Sequence, residues 1–181
     1  MQRAIIQPAD LSGTALAELK QWLGITRPGE DGLLEGLLHS SLDVCESFTR
    51  QMPIETGFEE IMPASGAWQC LETRPVRAIT AVTAIGKDGA RAPLASGQYE
   101  IELDAAGVGR VRLLAPVEAR LIAVSFAAGI AADWPSMPDG LRHGVIRAAA
   151  HLYQDRDDAQ PGAPPSSISA LWRPWRLLRL A

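Results

Sequence analysis

The sequence predicts an α+β fold: a small helical bundle of three main helices, an inserted antiparallel β-sheet or sandwich, and an extended C-terminal arm. Three observations predict it. Apolar residues recur at helical spacing over 31–50 and 138–156. Short alternating runs separated by turn residues fill 55–128. A Pro-rich stretch then precedes an end rich in Trp and Arg. Divided this way, the chain has a globular body over 1–157, a linker over 158–167 and an arm over 168–181.

Taken in order, Thr14 to about Ile25 is a short helix with Leu16, Leu19 and Leu23 on one face, Thr14 as its N-cap and Arg27-Pro28-Gly29 as its stop. The helix from about Asp31 to Arg50 is the clearest local signal. Leu33, Leu34, Leu37, Leu38, Val44, Cys45 and Phe48 cover one broad half of it, acids open it and Pro53 follows it. In the middle region Val76, Ile79, Val82 and Ile85 share one run that ends at the turn Lys87-Asp88-Gly89. Tyr99–Leu103 alternates cleanly, Ala105-Ala106-Gly107 turns it toward Arg110–Leu113, and Leu121–Phe126 makes a further strand. The last long helix, about Pro138 to Arg156, has a core stripe of Leu141, Val145, Ala148, Ala149 and Leu152. Ile146, Ala150 and Tyr153 form a second apolar strip, which points to a subunit interface.

Composition narrows the function. With 181 residues the chain can bury ~70% of its unfolded surface without staples. An apolar fraction of 47% and a charged fraction of 21% exclude wholesale disorder. A net charge of −4 excludes gripping nucleic acid by bulk positive charge. The longest apolar runs are too short to span a bilayer, and the N-terminus does not read as a signal peptide. Cys45 and Cys70 read as reduced core thiols in a soluble, intracellularly made protein.

Chemistry-bearing patterns are few. Glu35, His39 and Asp43 are spaced i, i+4, i+8 on one helix face, which suits proton handling or half a metal site, and equally suits a solvated polar face. His143 and His151 lie about two turns apart, wider than the i, i+4 spacing of a helical metal pair. Gly107-Val108-Gly109 sits between strands and reads as a hairpin turn, not a phosphate loop. No cofactor is expected. The tail holds two of the five Trp, three Arg and no acid. Ile168, Leu171, Trp172, Trp175 and Leu178 would share one side of a helix, with Arg173, Arg176 and Arg179 beside them. Trp and Arg are favoured interface anchors, so the tail reads as a docking segment, with a membrane-surface helix and a fold-back onto its own core as the other readings.

Several segments together resemble the head–tail connector (adaptor) proteins of tailed bacteriophages and gene transfer agents. They are Leu19-Lys20-Gln21-Trp22-Leu23-Gly24-Ile25, the acidic opening and Cys45-Glu46-Ser47-Phe48-Thr49-Arg50 end of the Leu-rich helix, and Arg74-Pro75-Val76-Arg77-Ala78-Ile79-Thr80-Ala81-Val82-Thr83. Val124-Ser125-Phe126-Ala127-Ala128-Gly129 and Ala149-Ala150-His151-Leu152-Tyr153-Gln154-Asp155-Arg156 complete the set. Ile130, where an aromatic residue often stands, and the long Pro-rich linker depart from the pattern.

The resemblance implies a non-enzymatic structural subunit of a virion or phage-like particle neck, synthesised in the bacterial cytoplasm. It implies a homo-oligomeric ring, typically of twelve, under the capsid portal. DNA would pass through without specific binding and without a membrane. The portal protein and the next neck protein (stopper or tail-completion) are the implied partners. Portal docking would be carried by Ile168, Leu171, Trp172, Arg173, Trp175, Arg176, Leu178 and Arg179. A reading from another class is a small hydrolase or ligand-binding domain built on Glu35, His39 and Asp43.

Overall fold

A computed structural model describes residues 2–154 and 164–177. Its elements are β1 (Gln2–Gln7), α1 (Thr14–Leu23), a 3-10 turn (Pro28–Glu30), α2 (Asp31–Thr49), β2 (Thr56–Pro63), β3 (Gln69–Cys70), β4 (Val76–Ile85), β5 (Arg91–Pro93), β6 (Tyr99–Leu103), β7 (Gly109–Leu113), β8 (Leu121–Ala128), α3 (Asp139–Gln154), α4 (Ser166–Trp172) and a second 3-10 turn (Arg173–Trp175). The class is α+β, as the sequence predicts. The chain forms two compact units, each built from two stretches. A β unit takes Met1–Pro8 and Glu55–Gly129, and a helical unit takes Ala9–Ile54 and Ile130–Ala181.

In the β unit a five-stranded sheet runs β1-β2-β8-β4-β5 and a three-stranded sheet runs β3-β7-β6, all antiparallel. The apolar run of β8 suits its central place, paired along its whole length on both sides. Phe58 and Phe126, partners in register, stack at 5.8 Å over a core of Met62, Val82, Ile122 and Val124. The β6–β7 hairpin turns at Gly107, whose φ of 73° favours glycine. Asp104 Oδ1 accepts from the Ala106 and Val108 amides, both at 2.9 Å, and a Cβ on Gly107 would overlap Pro75. The two-glycine segment is a hairpin, as expected.

β1 is a strand for which the sequence predicts no element. All six of its residues are exposed, so it has no buried face and no alternation to read. It forms because β2 offers an open edge, and a bulge near Ile6 brings Gln7 close against Gly57. Cys70 is likewise a correction. It is exposed on the short strand β3, whereas Cys45 is buried in α2, where loss of solvation pushes its thiol up to about 12.

Glu60 lies on the inward face of β2 between Phe58 and Met62 and is wholly buried. An isolated buried carboxylate would be costly. Here Oε2 accepts from the Glu72 amide at 2.9 Å, and Oε1 accepts from the Thr73 amide at 3.0 Å and the Thr73 hydroxyl at 2.8 Å. The acid therefore holds the segment that leads into β4.

In the helical unit α3 packs against α1, α2 and α4. Gly24, at φ 71°, caps α1, with the Gly24 and Ile25 amides donating to Gln21 and Lys20 carbonyls. Gly13, not Thr14, occupies the N-cap position of α1. The buried seam of α2 is narrower than its apolar half. Leu34, Leu38, Leu42 and Cys45 are inside, while Leu33 is exposed and Leu37, Val44 and Phe48 are half-buried.

Neighbouring acids give a direct test. Glu60→Ala should lower stability by about 3 kcal/mol in urea unfolding, because it strands the buried Thr73 amide and hydroxyl and the part-buried Glu72 amide. Glu59→Ala, which breaks only the exposed Arg91 pair, should cost less than about 1 kcal/mol. Equal losses would mean that the buried carboxylate does not organise the segment.

Candidate docking surface

In α3, Gly140 and Gly144 are four residues apart and so lie one above the other on a single face. A glycine inside a helix costs about 1 kcal/mol relative to alanine, so a pair calls for a packing reason. The tail supplies it. A Cβ on Gly144 would overlap the Trp172 indole nitrogen and come within 2.8 Å of its Cδ1. A Cβ on Gly140 would lie 2.9 Å from Trp175 Cη2. The two glycines form a notch, and the two tryptophans sit against it.

Trp172 is wholly buried, its Nε1–H donates to the Leu141 carbonyl at 3.3 Å, and its ring lies 6.2 Å from that of Phe48 in α2. Ile168, one helical turn earlier, is also buried. Arg147 donates to Ser167 Oγ at 3.0 Å, and Ser169 Oγ donates to the Pro164 carbonyl at 3.0 Å. Beyond α4 the Leu177 amide donates to the Thr49 carbonyl at 2.9 Å, and Gln51 Nε2 donates to the Trp175 carbonyl. The Arg176 guanidinium lies over the Phe48 ring, 5.1 Å from its centre.

These contacts place the described residues of the predicted arm. Ile168 and Trp172 are interior anchors of the helical unit, because the glycine notch leaves room for an indole that no outside partner need cover. Leu171 and Trp175 are half-buried, and Arg173, Arg176 and Leu177 are exposed. Leu178 and Arg179 lie outside the described residues, as does most of the predicted linker, while Ser166 and Ser167 already belong to α4. Beyond Trp172 the described residues Arg173, Pro174, Arg176 and Leu177 are exposed.

The residues of the predicted subunit-interface strip lie on α3. Ile146 and Ala150 are buried within the helical unit, and Tyr153 is half-buried with its hydroxyl donating to Glu30 at 2.6 Å. Three helices of the same chain surround α3, which explains apolar residues on two of its sides. Ile146 borders a depression of about 720 Å³ together with Glu18, Trp22, Arg142 and His143, where His143 meets the exposed Trp22 edge-on at 5.3 Å.

Glu35 and His39 are half-buried and Asp43 is exposed. Among the described residues no group of three His, Cys, Asp or Glu is placed to hold a metal. The exposed apolar side chains Ile5, Ile6, Trp22, Leu33 and Leu114 are not among the predicted site residues. Nothing in periodicity marks them, since exposure of a single apolar residue is decided by what packs beside it.

No protein-family model matches the chain, and neither does any curated protein. Solved structures do. A chain in the neck of an empty GTA particle computed with C6 symmetry is 26% identical with a TM-score of 0.78. A chain in the virion of a native gene transfer agent (GTA) particle is 27% identical with a TM-score of 0.76. A chain in the neck of a native GTA particle computed with C12 symmetry is 26% identical with a TM-score of 0.75. Each match covers 100% of this chain and 98% of the other.

Filling the notch tests the seat. Gly144→Leu should expel Trp172, shift tryptophan emission to the red and lower stability by about 3 kcal/mol. Gly36→Leu on α2, where a Cβ meets nothing within 4 Å, should leave both readings near the parent values. An unshifted emission spectrum in the Gly144 variant would place the indole elsewhere.

Proposed function

We infer that this chain, whose fold from end to end is that of the gene transfer agent head–tail adaptor family, is a structural connector subunit in the neck of a phage-like particle. The observation that carries the reading is the full-length match of both units to GTA neck and virion chains, with almost nothing left over on either side. The C6 and C12 symmetries of those necks support an oligomeric ring. We take the ring to be a dodecamer beneath the portal protein, with a stopper or tail-completion protein on its far side. The role is non-enzymatic. No helix among the described residues is long and apolar enough to cross a membrane.

Such a ring extends the DNA channel. Duplex DNA carries a charge about every 1.7 Å of axis, so a strongly basic lumen would retain it. A chain with a net charge of −4 favours passage over retention. Head–tail joining is multivalent: each exposed tail end binds weakly, and a closed ring presents many at once. The docking segment is the part beyond Trp172, with Arg173, Trp175 and Arg176 as its described members and Leu178 and Arg179 following.

Deleting 173–181 should leave a folded protein that no longer attaches to portal-bearing capsids, read by circular dichroism and by co-sedimentation with tailless particles. Deleting 168–181 should in addition unfold the helical unit, since it empties the notch. Normal attachment by the shorter deletion would remove the tail from the docking role. Negative-stain microscopy of the concentrated parent protein, or of particles made with it, should show rings with a central hole. A protein that never joins particles would overturn the connector reading itself.

A further inference from the structure

The tail comes down on the C-terminal end of α2 and gathers positive charge there. The Leu177 amide bonds the Thr49 carbonyl, which brings the tail backbone to the residue before Arg50, and the Arg176 amide bonds the Arg173 carbonyl within one 3-10 turn. All three arginines are exposed. Among the described residues none of the three forms an ion pair or donates a side-chain hydrogen bond. Several other cations of the chain meet acids. Arg91 is bidentate on Glu59, Arg112 bonds Glu100 at 2.7 Å and Lys20 pairs with Asp31. The three arginines have no acidic partner among the described residues, in a chain of net charge −4.

A helix C-terminus presents about half a negative charge, which one arginine more than offsets. Among the described residues the remaining charge has no acidic partner. Two features make the patch ready to bind. Phe48 supports one face of the Arg176 guanidinium at 5.1 Å, which leaves its N–H edge to meet a carboxylate in a fork. Arg50 is held at φ 63°, a left-handed conformation that glycine usually fills, so a charged side chain stands where a cap alone would not need one. Leu177 is 41% exposed beside them and Trp175 is half-buried, adding apolar contact that phosphate does not use.

We propose that Arg50, Arg173 and Arg176, with Leu177 at their edge, form a docking site for an acidic, partly apolar segment of a protein partner. The proposal rests on the connector reading and names the chemistry of the partner surface that the tail meets. Carboxylates occupy the guanidinium forks, and an apolar side chain covers Leu177.

The test uses the full chain with three fluorescent probes: a twelve-residue peptide of Glu and Leu, its Lys and Leu counterpart, and a short DNA duplex. The acidic peptide should bind, and R50E/R173E/R176E should weaken it by about tenfold or more, as should a rise in salt. The Lys peptide should not bind, and the duplex should bind more weakly than the acidic peptide. An acidic-peptide affinity unchanged by the triple variant, or a preference for DNA, overturns the proposal. Thermal melts of the triple variant should match the parent, and R173E/R176E alone serves if Arg50→Glu disturbs α2. Portal-bearing capsids separate the two levels of inference. If the parent attaches and the folded charge-reversed variant attaches equally well, the patch fails while the connector stands. If the parent does not attach, the connector reading fails regardless of the peptide result.

Discussion

The helical unit depends on one contact, the Trp172 indole lying against the backbone of α3 at Gly144. Burying a tryptophan removes roughly 150–250 Å² from water, on the order of 5 kcal/mol at the usual area coefficient. That exceeds the cost of two helical glycines, about 1 kcal/mol each. The indole also touches Phe48, so a single side chain links α2, α3 and α4. The tail consequently has two parts with different physical roles. Up to Trp172 it completes the core; beyond it Trp175 is half-buried while Arg173, Arg176 and Leu177 are exposed.

Much of the architecture was legible because it obeys local rules. α2 and α3 alternate apolar and polar faces over many turns, and their ends carry acids, Pro or left-handed caps. The β6–β7 hairpin follows from strict alternation around a turn that needs a glycine. The resemblance to connector proteins drew on the order of segments, which survives at identities near 26% where no single segment is decisive. What escaped was information about covering. Periodicity says which side chains share a face, not what lies over that face. Ile146, Ala150, Ile168 and Trp172 were grouped correctly by face, yet all four turn inward. The clue to Trp172 was in α3, not in the tail: two glycines one turn apart imply a bulky neighbour. β1 left no trace of that kind, because an edge strand with no buried face has no pattern to reveal.

The charged residues show the same division between local and long-range causes. Glu59 and Glu60 are adjacent and chemically equivalent, yet one pairs with Arg91 on the surface and the other is sealed within the β unit. Strand alternation alone puts them on opposite faces. Only the distant amides of Glu72 and Thr73 make the inner one tolerable.

Both units are assembled from stretches far apart in the chain, and this bears on how the protein is made. A ribosome releases β1 long before β8 exists, and α1 and α2 emerge well ahead of α3 and α4. The glycine notch stays empty until α4 has been made. A polypeptide that stops short of α4 would thus expose unfilled apolar surface to chaperones and proteases, so that synthesis of α4 acts as a checkpoint on which copies survive to be built into a particle.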